Sequence, residues 1–220
     1  MADTVKDYLA RFTAHLEARD LENAVAYALS LLSEGKRDVP ELYEGILAPA
    51  LNRIEVPRAQ EDARIWQEHI QSAIVQAVMG ASWPYVLSQR EHSGKPGSGR
   101  RVMLACPEEE YHEIGIRMGA DFFRILGFDT AYIGCNTPRG TLLHAAGTIQ
   151  PDIVVLSVTN YLNLAQLPAT IQALKAAKPG LKVYLAGSAL KHTGKSAADF
   201  QADGMLNTFV DVKKLAEVAK

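Results

Sequence analysis

Residues 101–115 read RVMLACPEEEYHEIG. The first six form an apolar run of strand length, and Pro107 closes it. Three glutamates follow, then His112, and Gly115 stands where a helical period begins. An apolar strand that leaves through a polar loop into a helix is the opening of a βαβ unit.

Working outward toward the C-terminus, the same alternation continues. The spacing predicts a helix over 112–126, ending at Gly127, then the strand TAYIGC and a helix over 138–149. The strand DIVVLSV comes next, the richest in β-branched residues, followed by a helix over 162–178. KVYLAG, a weaker strand GMLNTF and the helix DVKKLAEVAK complete the series. The expected fold is α/β, a flavodoxin/Rossmann-like five-stranded parallel sheet with right-handed crossovers. Such sheets bind ligands at the carboxyl ends of their strands. The loop after Cys106, the segment from Ser157 and the turn at Ala186-Gly187 are therefore the informative places.

Working toward the N-terminus, the period changes to helical. Val5, Tyr8, Leu9, Phe12 and Leu16 make one stripe, and Ala24, Tyr27, Ala28, Leu31 and Leu32 a second, ending at Gly35. Asp38 suits the cap of a third helix reaching Ile54. Pro57 suits the start of a longer fourth, with Trp66, Ile70, Ala73, Ile74, Ala77 and Val78 along it. Four amphipathic helices predict an all-α, four-helix bundle over 1–88. SQREHSGKPGSG reads as a linker over 89–100, which leaves 101–220 to the α/β domain.

The bulk numbers bound the function. The 220 residues are 48% apolar and 22% charged, with a net charge of −2. No global field draws the chain to nucleic acid or to a membrane surface, so direct nucleic-acid binding is not expected. No apolar run approaches the roughly 20 residues that cross a bilayer. Two cysteines are too few for a disulfide framework, and the N-terminus lacks a secretory apolar stretch, so a cytoplasmic location is expected. P-loop, dinucleotide, nucleophile-elbow and CxxC patterns are absent.

Taken singly, each candidate has an ordinary structural reading. His112 fits a helix-start histidine beside acids that suit the helix dipole. It also fits a metal ligand, with Glu110 holding the far ring N–H and Gly115 allowing close approach. Ser157 and Thr159 fit β-propensity, or two hydroxyls on one strand face aimed at a cleft. Ala186-Gly187 fits a tight turn, or a floor kept small for a flat group.

The spacing links them. Forty-one residues separate Gly115 from Ser157, and 26 separate Thr159 from Ala186. This resembles the signature of cobalamin-binding domains: Asp-x-His-x-x-Gly, then Ser-x-(Leu/Val/Thr), then Gly-Gly. In that family the histidine replaces the cofactor's own dimethylbenzimidazole as lower cobalt ligand, and the nucleotide tail runs down between strands. The resemblance implies His112 as the metal ligand, with Glu110, Tyr111, Gly115, Ser157, Thr159 and Gly187 binding the cofactor. Glu110 stands where Asp is usual, and Ala186 replaces the first Gly of the pair.

The helical half is similar to the cap that covers the corrin in these proteins. IWQEHI carries Glu68-His69, which looks like the Glu-His of cobalamin-dependent light-sensing regulators; it also fits a plain exposed helical pair. Those regulators place a Trp ten residues before the Glu, and here that residue is Arg58. Trp66 is the substitute in reach. The resemblance implies adenosyl-, methyl- or hydroxocobalamin as cofactor. It implies a light- or ligand-responsive sensor acting through cap rearrangement, a partner protein or a homo-oligomer, and no enzymatic step. The alternatives are a corrinoid methyl carrier serving a methyltransferase, and a haem-binding relative of the same sensor fold.

Overall fold

In a computed structural model, residues 4–53, 61–93 and 99–218 are described. Ile54, Pro57, Arg58 and residues 94–98 of the expected linker lie outside them. The chain divides into two compact units, Met1–Ser88 and Gln89–Lys220.

The first unit is helical: α1 (Val5–Ala18), α2 (Leu21–Ser33), α3 (Val39–Leu42), α4 (Ala48–Asn52), α5 (Glu61–Ala81) and α6 (Trp83–His92). Side chains cap three of these. Thr4 and Asp38 form capping boxes on α1 and α3, and Asp20 accepts from the Asn23 N–H at the start of α2. A wide π-turn over Tyr43–Leu47 joins α3 to α4, with the Ala48 N–H donating to the Tyr43 carbonyl. Pro49 follows directly; in a regular helix its ring would press on the carbonyl four residues back, and the widened turn relieves this. Pro84 acts similarly between α5 and α6. The helix breaks at the buried Ser82, whose Oγ donates to the Val78 carbonyl at 2.8 Å, and Pro84 falls in the first turn of α6. Because α6 runs to His92, the first four residues of the expected linker are helical.

One expectation is corrected here. The apolar stripe of the fourth helix is two faces, not one. Ile74, Val75, Val78 and Met79 are buried, while Trp66, Ile70, Ala73 and Ala77 are exposed.

The second unit has a five-stranded, all-parallel sheet of order β2-β1-β3-β4-β5. Its strands are β1 (Arg101–Pro107), β2 (Asp129–Thr137), β3 (Ile153–Ser157), β4 (Lys182–Ala186) and β5 (Gly204–Met205). The crossover helices are α7 (Ile114–Ile125), α8 (Arg139–Ile149), α9 (Leu167–Ala177) and α10 (Phe209–Val218). Every residue of β3 is buried, as a central strand covered on both faces requires. Met103, Ala105, Val154, Leu156, Val183 and Leu185 pack with Leu142, Leu167, Ile171 and Leu174 of α8 and α9. The opposite face carries α7, joined to α10 by an edge-on contact of Phe122 and Phe209.

Strand order reverses between β1 and β3, so this is where the fold opens its ligand crevice. Two differences from the sequence reading fall at that place. The helix expected from 112 starts at Ile114, leaving His112 in the loop. The helix expected from 162 opens with a 3-10 stretch, Tyr161–Gln166, whose cap Asn160 accepts from the Leu162 N–H.

Candidate cofactor site at the switch point

β2 bulges twice against β1, between Leu104 and Ala105 and again between Ala105 and Pro107. The bulges bring Asn136, at φ 47°, alongside the loop that leaves β1. Its side-chain oxygen accepts from the Glu109 N–H at 2.9 Å, and its own N–H donates to the Glu110 carbonyl at 2.8 Å. Glu109 is itself left-handed, at φ 61°. Two residues in the sparsely populated region thus hold each other, and the chain turns Glu110 inward.

Glu110 is completely buried, yet its carboxylate has five donors. Oε1 accepts from the His112 N–H at 3.2 Å and from His112 Nδ1 at 2.5 Å. Oε2 accepts from the N–H groups of Thr159 and Asn160, both at 2.8 Å, and from Asn163 Nδ2 at 3.3 Å. Burial pushes the Glu110 pKa up, but the imidazole and the backbone N–H groups outweigh it and hold the carboxyl at about 2. The group is a carboxylate at neutral pH. Since a carboxylate can only accept, Nδ1 carries the proton of a neutral His112 ring, and a metal would have to bind through Nε2. The His112 side chain is 60% exposed although its anchor is fully buried. The Cys106 thiol donates to the His112 carbonyl at 3.7 Å, and Tyr132 of β2 donates to Glu113 Oε2 at 2.6 Å. Burial, with Glu110 and other acids nearby, pushes the Cys106 thiol up to about 12, so it stays neutral.

β3 ends at Ser157, which is buried and pairs with Ala186. Thr159 therefore does not share a strand face with Ser157, as the alternation suggested; the carboxylate of Glu110 takes its N–H and draws the chain out of the ladder. Val158 remains tied to the β4 end through its N–H to the Ala186 carbonyl and its carbonyl to the Ala189 N–H. Between those bonds lies Gly187, at φ 92°, where a Cβ would stand 2.3 Å from the Val158 carbonyl oxygen. The loops after β3 and β4 are thus locked together by an approach only glycine permits. Ala186, by contrast, has no positive φ, so its methyl group is unstrained.

The geometry thus brings together Glu110, His112, Thr159, Ser157 and Gly187. It adds Asn136, Asn160 and Asn163, which sequence reasoning passed over. Tyr111, Tyr161 and Leu162 flank the cluster, and among the described residues they are three of the four exposed large apolar side chains of this unit. Trp66, Glu68 and His69 belong to the helical unit. Trp66 is 46% exposed with the Arg19 guanidinium 5.6 Å from its ring centroid, Glu68 is half-buried and His69 exposed.

Residues 100–207 match the family model described as the B12 binding domain. This segment belongs to that family. The HTH-type transcriptional repressor CarH of Myxococcus xanthus is 29% identical over 150 residues, 68% of this chain and 48% of its own length. The repressor CarA of the same organism is 26% identical over 143 residues, 64% of this chain and 46% of its own length. The chain thus spans about half the length of these curated relatives. The monomethylamine corrinoid protein of Methanosarcina barkeri shares the fold, with a TM-score of 0.77 at 12% identity, covering 98% of this chain and 100% of that one.

The B12-binding domain here fits its cofactor by chemistry. One imidazole is a single donor, and a corrin ring brings the other ligands of its cobalt. Gly115, in the first turn of α7, has a helical backbone, and a Cβ there would meet nothing within 4 Å. The protein itself does not require glycine at that position, so the space suits an incoming group. The exposed rim of Tyr111, Tyr161 and Leu162 offers apolar surface to a large ring. Among the described residues, no helix is long and apolar enough to cross a membrane.

Proposed function

We propose that this chain holds cobalamin with His112 on cobalt through Nε2, and that it works as a light- or ligand-responsive sensor. The observation that carries the reading is the buried Glu110 carboxylate with an imidazole on one oxygen and the β3 loop on the other. Bound cobalamin would supply a photolabile or exchangeable upper cobalt ligand. The protein's part is to fix the ring tautomer, exclude water from Glu110 and seat the displaced tail near Ser157, Thr159 and Gly187. Tyr111 and Gly115 would meet the corrin.

The domain reading is a cap over 1–88, a linker over 89–100 and the cofactor domain over 101–220. In the cap, Trp66, Glu68 and His69 would face the upper ligand. What supports this is the exposed apolar face of α5, where Trp66, Ile70 and Ala73 stand beside His69. The match to CarH also supports the sensor. It covers 150 residues, whereas the second unit, Gln89–Lys220, holds 132, so the likeness reaches into the helical unit. Output would pass through a partner protein or a homo-oligomer. The second reading, a methyl carrier, draws on the fold shared with the corrinoid protein.

The test is reconstitution of wild type and His112→Ala with hydroxo-, methyl- and adenosylcobalamin, followed by desalting and an absorption spectrum. Wild type is expected to retain corrinoid with a histidine-ligated spectrum, and the variant to lose it. A wild-type protein that emerges colourless sinks the reading. Illuminating the adenosyl and methyl forms while following mass by light scattering separates the functions. A light-dependent change supports the sensor; methyl transfer to an added methyltransferase without such a change supports the carrier.

A further inference from the structure

His112 lies on a short turn, residues 111–113, between the Glu110 anchor and the start of α7 at Ile114. Glu110 fixes the ring and the entry to this turn. The exit is fixed by a second carboxylate, Glu113. It stands at the cap position of α7, yet its side chain makes no cap hydrogen bond. It meets β2 instead: Tyr132 donates to Oε2 at 2.6 Å, while Arg117, one turn along α7, stands 3.9 Å from Oε1. The backbone closes the same turn, with the Glu113 N–H donating to the Tyr111 carbonyl at 2.9 Å and the Glu113 carbonyl accepting from the Arg117 N–H at 3.0 Å. The sheet aims Tyr132 at this place. Tyr132 pairs with Leu104, which faces α7: a Cβ on Gly119 would lie 3.9 Å from Leu104 Cδ2. The first bulge of β2 follows directly, so the register shifts only beyond Tyr132. Burial, and then the Glu113 carboxylate, push the Tyr132 phenol up from its ordinary value, so it keeps its proton and donates.

We infer that Tyr132 is a positioning residue for the histidine ligand: through Glu113 it ties the His112 turn to β2 and holds the imidazole where it can serve cobalt. The inference rests on the reading of His112 as the lower ligand. A side chain that is 60% exposed gains little from packing, so its place is set by hydrogen bonds and by its backbone. Those bonds run in two directions. Glu110 ties the turn to the loop after β3, and Glu113 ties it to β2. In the sheet, β2 and β3 flank β1, the strand from which the turn departs, so the two holds lie on opposite sides of it. With one hold gone, the turn visits other arrangements, and the fraction of molecules ready to ligate falls. Apparent affinity falls with that fraction.

The test is Tyr132→Phe, which removes the hydroxyl and keeps the ring. The probe is cobinamide, a corrinoid with no base of its own, so an axial nitrogen on its cobalt comes only from the protein. In the cobalt(II) form that nitrogen splits the electron paramagnetic resonance signal. Wild type at saturation should show the split signal. Tyr132→Phe should bind about tenfold more weakly, the scale of a lost hydrogen bond to a charged group, and at saturation part of its signal should be unsplit. A merely structural role would lower stability in urea and leave the bound corrinoid fully split. Glu113→Ala removes the same bond from the α7 side and carries the test if Tyr132→Phe fails to fold. With both changes together, the loss should match that of Glu113→Ala alone. Wild-type affinity or full splitting in Tyr132→Phe, or losses that add in the double variant, overturn the inference. A wild type that binds no corrinoid, or binds it with an unsplit signal, overturns the reading of His112 itself.

Discussion

At the amino edge of the sheet, Asp203 accepts from Lys175 Nζ at 2.8 Å, Lys182 Nζ at 3.2 Å and the Val183 N–H at 2.8 Å. Asp152, on the same edge, accepts from the Arg101 N–H and pairs with Lys178. At the carboxyl edge, the donors to Glu110 among the described residues are amides and an imidazole, with no lysine or arginine. Lysine pairs close a strand end, because both charges are spent on each other. A carboxylate held by neutral N–H groups keeps its charge, and it spends that charge on orienting a histidine that itself stays 60% exposed. One edge is finished as structure, and the other holds out an exposed imidazole.

The sharpest way to break this contrast is Glu110→Ala. It strands the Thr159 and Asn160 N–H groups in a buried place, at about 1–3 kcal/mol each. Stability should drop by several kcal/mol in urea unfolding, and corrinoid affinity by about 10–100-fold, as losses behind a metal ligand do. An unchanged affinity would remove the orienting role. Gly187→Ala comes next. The left-handed φ alone costs roughly 1–3 kcal/mol, and the overlap with the Val158 carbonyl adds to it. Thermal unfolding would show the loss, and a tolerated Gly187→Ala would mean the loops after β3 and β4 can part.

The amino edge should respond less. Burial raises the Asp203 pKa, but Lys175, the Val183 N–H and Lys182 outweigh it and hold the carboxyl below its ordinary value of 3.8. A lowered folded pKa means the stabilisation is complete above the ordinary value and fades as pH falls through the lowered one. Asp203→Asn should therefore cost under about 1 kcal/mol at neutral pH, as partly exposed pairs do, and should flatten the acid limb of the stability curve. A loss matching that of Glu110→Ala would erase the contrast between the edges.

Much of this was legible in the residues. The alternation from Arg101 onward implies a five-stranded parallel sheet with right-handed crossovers, and the His112, Ser157 and Gly187 spacing marks three loops at its carboxyl edge. The grip on Glu110 was not legible, because two of its donors are backbone N–H groups of Thr159 and Asn160, and a backbone donor leaves no mark on a sequence. Nor was the start of α7: Glu110 captures the His112 N–H and holds the turn open where dipole arguments alone would start the helix. On α5, Trp66, Ile70, Ala73, Ile74, Ala77 and Val78 read as one stripe because the helix is apolar around most of its girth. Only packing shows that Ile74 and Val78 face inward and Trp66 and Ile70 outward.

The smallest effect is the most discriminating. Gly115 sits in a helix with ordinary φ, and a methyl group there would touch nothing within 4 Å. On the protein's own account alanine is the better residue, and Gly115→Ala should stabilise the unliganded chain by about 0.4–1 kcal/mol. If the open space belongs to the cofactor, the same methyl group should weaken cobalamin binding. Stability and affinity would then move in opposite directions in one variant, read by thermal unfolding without corrinoid and by titration with it. Gains in both would mean that Gly115 keeps no room for a ligand, and that the carboxyl edge, like the amino edge, is finished by the chain alone.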